Sequence, residues 1–286
     1  MSSTLLLRLV QQQRLPAPSA SLASFLDGLD VALSQLLSGS AGLLHDGARG
    51  PCKGAKLQEC VEDILEAGVA NASQPSNGAA GLALAAWAAE QATGQTWASL
   101  FEDFQAESGM GAEAEYSQWA PTNPWLAGGL TATPRGYASF LHSLLNGTLL
   151  EPALRELQWQ DWATTAVSKQ AHQDGLGDWH AGLGVVLECE SSQWDQCSSD
   201  RITVSGASRL GFYPFISRTP RLHFGLIARD AEVDYFNKQH ARVMTILGAT
   251  CLLLGVAGAA LSYCWMKRQK KAMKKKLKEI ELTTQP

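Results

Sequence analysis

The chain has 286 residues, 45% of them hydrophobic, and a formal net charge of -4. That is room for one domain of roughly 240 residues with an appendage, at the hydrophobic content of an ordinary globular protein. The charge is unevenly placed: Lys267 to Lys278 holds eight Lys or Arg with Glu279 and Glu281 after them, while the rest has 15 basic and 25 acidic residues. An acidic body excludes nucleic acid as a partner, because phosphates require a basic face.

In chain order, Leu5 to Val10 followed by Gln11 to Pro16 reads as the end of an amphipathic helix stopped by proline. It lacks the basic start and small-residue cleavage site of a signal peptide. Ser21 to Leu37 carries apolar positions at helical spacing, Gly39 to Lys56 is a Gly-rich connection, and Cys60 to Ala70 predicts a short helix. Ser76 to Trp97 (SNGAAGLALAAWAAEQATGQTW) is uncharged up to Ala89, and rich in alanine and leucine, the strongest helix formers. Its apolar residues cover every face, so it belongs in the middle of a domain. Glu90 and Gln91 end the run well short of a membrane span. Ser76 or Asn77 can cap its start and Gly94 can close its end.

Trp97 to Phe104 is a further helix, with Trp97, Leu100, Phe101 and Phe104 on one side. Pro134 after Thr133 opens a helix that ends at Asn146-Gly147. Leu157 to His172 is polar, holds Trp159 and Trp162, and shows no clear period. From Gly182 the pattern changes to short β-rich runs, Gly184–Cys189, Arg201–Ser205, Gly211–Ile216 and Leu222–Ala228, separated by turn residues. A helical part followed by strands gives an α+β arrangement.

Val243 to Trp265 has no charge over 23 residues. At 1.5 Å per residue it spans about 34 Å, enough for a hydrocarbon core of about 30 Å. A transmembrane helix is the reading preferred over a buried core helix. The positive-inside rule puts the tail, 266–286, in the cytoplasm and the body outside or in a lumen. The basic tail is either a plain stop-transfer anchor or a contact for anionic lipid. Cys52 with Cys60 and Cys189 with Cys197 have equal spacing in polar stretches, which reads as two local disulfides, or else as free thiols in a reducing compartment. Asn71 and Asn146 open glycosylation sequons. No zinc signature, phosphate loop or Gly-x-Ser-x-Gly elbow occurs, so no metal or cofactor is expected.

Four blocks in order carry a resemblance. They are LLSGSAGL (36–43), Ser76-Asn77 with the Ala-rich helix and TGQTW (93–97), AGGLTATPRGYASFLHSLLNGTLL (127–150), and SGASRLGFYPF (205–215). Together they resemble the class C β-lactamase and penicillin-binding-protein family of serine hydrolases, over about residues 4 to 230. The resemblance implies a β-lactamase/transpeptidase-like fold, a helical lobe plus an antiparallel sheet. Two strands of that sheet would precede the nucleophile helix and are missing from this chain. The family's Ser-x-x-Lys should fall at or just before Met1, and none occurs at any lysine of this sequence.

The other family positions are altered. Pro75 stands for the tyrosine of the second motif, leaving Ser76 and Asn77. Val204 stands for the cation of the third, leaving Ser205 and Gly206, and Gly39 stands for a histidine. These residues have plain structural readings too: Asn77 as a helix cap, Ser205-Gly206 as a strand turn, the nine tryptophans as packing.

The resulting expectation is a β-lactamase-related domain at 1–230, a linker at 231–242, one transmembrane helix at 243–265 and a cytoplasmic tail. The domain is expected to be catalytically incompetent as encoded, since an unactivated hydroxyl is a weak nucleophile, with a cleft open to a small peptide or ester. The alternatives are an active D-peptidase or esterase whose nucleophile lies upstream, a non-enzymatic binding ectodomain, and a tail-anchored cytosolic protein outside this family.

Overall fold

A computed structural model describes residues 1–44, 56–69, 78–116, 125–162, 179–189, 194, 197–198, 201–206, 212–218 and 223–228. At the centre lies helix α4, Gly78–Thr93, whose start and end follow the composition of that stretch. Ala80, Leu84, Ala85, Ala86, Ala88 and Ala89 are all fully buried. Small side chains on every face let helices approach from several sides. Helix α1 (Ser2–Gln11), α2 (Leu33–Ser38), α3 (Leu57–Ala67) and α5 (Trp97–Ser108) all pack against it. Gly94 takes φ +67° and ends α4 in the left-handed region that glycine tolerates.

Helix α5 is capped by Thr96, whose hydroxyl accepts the Ser99 N–H, and closed by Gly109 in the left-handed conformation. Helix α6, Pro134–Leu145, has proline in its first turn and Thr133 accepting the Gly136 N–H, as the sequence predicts. Helix α7, Pro152–Gln158, follows. No element was expected over residues 152–156, and what holds α7 is tertiary. Arg155 donates to the Leu144 and Leu145 carbonyls at the end of α6, 3.4 and 2.5 Å, and lies 5.1 Å from the Trp159 ring. Arg218 approaches the same indole at 5.6 Å.

Of the helical spacing over Ser21 to Leu37, only the end forms a helix, Leu33–Ser38. Asp27 (φ +50°) and Gly28 (φ +87°) turn the chain in the left-handed region, which no run of helix can accommodate. Leu22 and Leu26 are nonetheless buried, so the apolar spacing reports burial and not helix.

Two strands pair as a small antiparallel ribbon, β1 (Glu115–Tyr116) and β2 (Leu130–Thr131). The main sheet is a five-stranded antiparallel meander in the order β3-β4-β5-β6-β7. Its strands are Trp179–Ala181, Val186–Cys189, Ile202–Ser205, Phe212–Ser217 and His223–Ala228. The last four match the sequence reading to within two residues. β3 was not foreseen, and it brings the sheet to five strands from residues 179–228 alone. Val204 faces Leu187 on one side and Ile216 on the other. All three are buried in the same apolar cluster as the helices, so this face of the sheet closes the core.

Cys189 and Cys197 form a disulfide, with Cα atoms 5.9 Å apart. Cys60 is disulfide-bonded as well, and Cys52 lies outside the described residues. Asn146 is exposed at the end of α6 and bonds His142 at 2.8 Å; Asn71 falls outside the description. Among the described residues no helix is long and apolar enough to cross a membrane, and Val243–Trp265 and the basic tail are not among them.

Half-buried Glu90 ties α4 to α5 by accepting the Trp97 N–H at 2.6 Å. Burial raises its pKa above the ordinary 4.5, partly offset by that hydrogen bond. A carboxyl raised in the folded state supports folding fully below its unfolded pKa, and that support is lost as pH rises through the folded value. Glu90→Gln keeps the acceptor and removes the charge. Its melting temperature should exceed the parent's at pH 7 and equal it near pH 4; an unchanged difference across that range would contradict the assignment.

Candidate functional site

A cleft of about 520 Å³ lies where the start of α1, the 125–132 segment with β2, and the ends of the sheet strands converge. The first turn of α1 is Ser2-Ser3-Thr4, all buried. Ser2 has one hydroxyl proton and gives it to the Leu126 carbonyl at 2.8 Å. In its 2.6 Å contact with Tyr116 the phenol is therefore the donor. Tyr116 is held edge-on by Phe101, with ring centroids 4.9 Å apart, and by Trp97 at 6.3 Å. Burial pushes the Tyr116 phenol well above its usual pKa, as it does Tyr137 on the α6 side of the cleft. Both tyrosines stay neutral donors across the physiological range.

On the sheet side, Gly184 adopts φ +68° and passes so close to α1 that an added Cβ would sit 2.4 Å from that of Ser3. Its N–H donates to the Leu37 carbonyl at 3.0 Å, and Ser3 Oγ donates to its carbonyl at 3.4 Å. Buried Gln158 donates to Ser3 and Thr4 at 3.3 and 3.1 Å. These bonds lock α1, the end of α2 and the β3-β4 turn into one wall.

Val204, Ser205 and Gly206, expected from the resemblance at the third motif, stand together at the end of β5. Ser205 and Gly206 border the cleft, and Gly206 N–H bonds the Pro214 carbonyl at 3.0 Å. Val204 turns into the core and offers packing alone. Ser205 Oγ donates to the Glu188 carboxylate, which also accepts from Tyr213 at 2.5 and 2.6 Å. Burial, and next the Glu188 charge, push the Tyr213 phenol far upward. Ser76 and Asn77 lie outside the described residues; the helix they precede reaches the cleft through Leu82.

Sequence reasoning missed Ser2, Ser3, Tyr116, Thr131 and Tyr137. The one local signal was a polar Ser-Ser-Thr opening to a leucine helix. Among the described residues lining the cleft there is no Asp, Glu, Lys, Arg, His or Cys side chain. The Met1 α-amine is buried there, which lowers its pKa from 8.0 to about 6. A set of hydroxyls around an apolar floor, with no charged side chain among the described lining residues, can orient a neutral polar ligand by hydrogen bonds.

No family model matches the chain, and no curated protein matches it. Solved structures do match. A penicillin-binding protein from Bacillus halodurans aligns with a TM-score of 0.62 and 17% identity, covering 87% of this chain and 83% of that one. A candidate β-lactamase from Bacteroides dorei DSM 17855 gives 0.64 and 22%, covering 80% and 74%. A mutant of simvastatin synthase (LovD) from Aspergillus terreus gives 0.57 and 17%, covering 82% and 78%. The fold is therefore the one shared by β-lactamase-like and penicillin-binding-protein-like serine hydrolases, helices packed with an antiparallel sheet.

Proposed function

We propose that this chain is a membrane-anchored, non-hydrolytic member of the class C-type branch of that fold, whose cleft binds a small neutral peptide or ester without cleaving it. The observation that carries the reading is the composition of the cleft: its described lining residues include several hydroxyls and no Asp, Glu, Lys, Arg or His side chain. Acyl transfer needs a nucleophile made reactive by a neighbouring base, together with donors aimed at the developing oxyanion. Ser2 gives its proton to a backbone carbonyl and Ser205 gives its proton to Glu188, so neither is paired with a basic nitrogen. The 23-residue uncharged run and the basic tail after it support a single-pass anchor with the body luminal or extracellular. The same tail suits contact with anionic lipid, and no lysine of this sequence stands in a Ser-x-x-Lys.

The test is thermal stability in the presence of a neutral N-acyl-D-amino-acid methyl ester. At a hundred times its Kd a ligand adds about 2.7 kcal/mol, or about 5–10 °C in a domain of this size. Thr131→Trp, an exposed position bordering the cleft, should abolish the shift while leaving the unliganded melting temperature in place. Hydrolysis of the ester, or no shift with any such ligand, would overturn the reading.

A further inference from the structure

A second cavity, about 250 Å³, opens on the other side of α4 from sequence-distant segments. Ser24, Phe25 and Asp27 come from the turn before α2, Gln58, Val61 and Glu62 from α3, and Trp87 and Gln91 from α4. Trp87 and Phe25 both touch the apolar core yet stay half-buried. Each therefore leaves part of its ring open on a cavity whose remaining walls, Val61 apart, are polar. A tryptophan that kept to packing would gain more from complete burial. Ala83 and Glu90 on the same face of the helix are part-buried and Gln91 is exposed, so Trp87 lies on the outward face of α4.

The polar groups around the ring are of a particular kind. Asp27 and Glu62 supply acceptors only, while Gln58 and Gln91 supply both donors and acceptors. Gln58 Nε2 donates to Glu62 Oε1 at 2.9 Å, which fixes both side chains one turn apart on α3. Asp27 is held at φ +50°, a conformation costly for a residue with a Cβ. Local strain of this sort gathers at binding positions.

We infer that the cavity between the Ser24–Asp27 turn, α3 and α4 is a binding site for one neutral polyol unit, a single pyranose ring, with its C–H face on Trp87 and its hydroxyls shared among Asp27, Glu62, Gln58 and Gln91. Adjacent hydroxyls of a sugar need paired acceptors and mixed donors at close spacing, which carboxylates and primary amides provide. A flat C–H face needs an exposed aromatic ring. The volume is below the range of about 300–1,000 Å³ for drug-sized pockets, which limits the occupant to one ring. Two carboxylates with no Lys or Arg among the lining residues disfavour an anionic ligand.

The test is ligand-detected saturation-transfer NMR on the full chain in a sugar-free zwitterionic detergent, with methyl pyranosides as probes. Transfer is expected on the ring protons of one face, and Asp27→Gly should raise Kd about tenfold or more, the loss of a hydrogen bond to a charged group. Glycine suits the left-handed backbone at that position, so Asp27→Gly should melt no lower than the parent, which separates lost binding from lost folding. The double variant Gln58→Ala with Gln91→Ala, both exposed, should weaken binding likewise. Absence of transfer from all pyranosides, or transfer unchanged in both variants, would overturn the proposal. Transfer lost in Thr131→Trp and retained in Asp27→Gly would place the sugar in the first cleft and equally overturn it.

Discussion

Gly81→Ala should destabilise the protein by about 1–3 kcal/mol, the cost of forcing extra volume into a packed core. The sign is the interesting part, since alanine in place of glycine inside a helix ordinarily stabilises by about 0.5–1 kcal/mol. Here an added Cβ would lie 2.3 Å from the Leu36 carbonyl oxygen. That oxygen is backbone, so α2 and α4 would have to separate. The control lies three residues away, because a Cβ at Gly78 meets nothing within 4 Å. Gly78→Ala should be neutral or slightly stabilising. Denaturant unfolding of both variants, with equal m-values, checks the pair. Equal stability of the two would mean that α2 and α4 are not in contact at this point. Gly136→Ala should behave like Gly81→Ala, since its Cβ would meet the Met110 carbonyl at 1.9 Å.

Trp97→Ala carries the larger expected loss, about 3–5 kcal/mol for emptying a fully buried indole site. Against a total stability of about 5–15 kcal/mol, that is a third of the whole or more. Trp97 is 1% exposed and meets Tyr116 edge-on. Tyr116 in turn donates to Ser2 at the cleft. The substitution should therefore lower the melting temperature and also weaken cleft binding in whatever fraction stays folded. Trp97→Phe separates ring from N–H: the indole Nε1 is buried with no hydrogen-bond partner among the described residues, so phenylalanine removes that donor while keeping most of the ring. It should cost clearly less than alanine. A Phe variant as damaged as the Ala variant would show that the indole N–H has a partner.

What the sequence disclosed was what neighbouring residues decide. Thr133-Pro134 and Asn146-Gly147 mark both ends of α6 by local capping chemistry, and the charge-free alanine run of α4 states its central position outright. The β-lactamase/transpeptidase-like fold was legible through the resemblance of four ordered blocks to a known family, and solved structures share that fold. The cleft itself was not legible. Ser2 meets Tyr116 across 114 positions of sequence and Leu126 across 124, and no local period records such a pairing. The false extension of α2 has an equally plain cause: Leu22 and Leu26 are spaced as on a helix and are buried, but Asp27 and Gly28 turn between them and the true helix. β3 escaped because three residues, Trp179–Ala181, are too few to show alternation. The capture of the Ser205 hydroxyl by Glu188 depends on the register of β4 against β5, which no local pattern records.

The central claim is that this cleft holds its ligand and does not attack it. Intact-mass analysis of the purified chain after prolonged incubation with a fluorescent penicillin, and separately with a fluorophosphonate, tests it most directly. The account predicts the unmodified mass throughout. A stoichiometric adduct that maps to Ser2, Ser3 or Ser205 would contradict it.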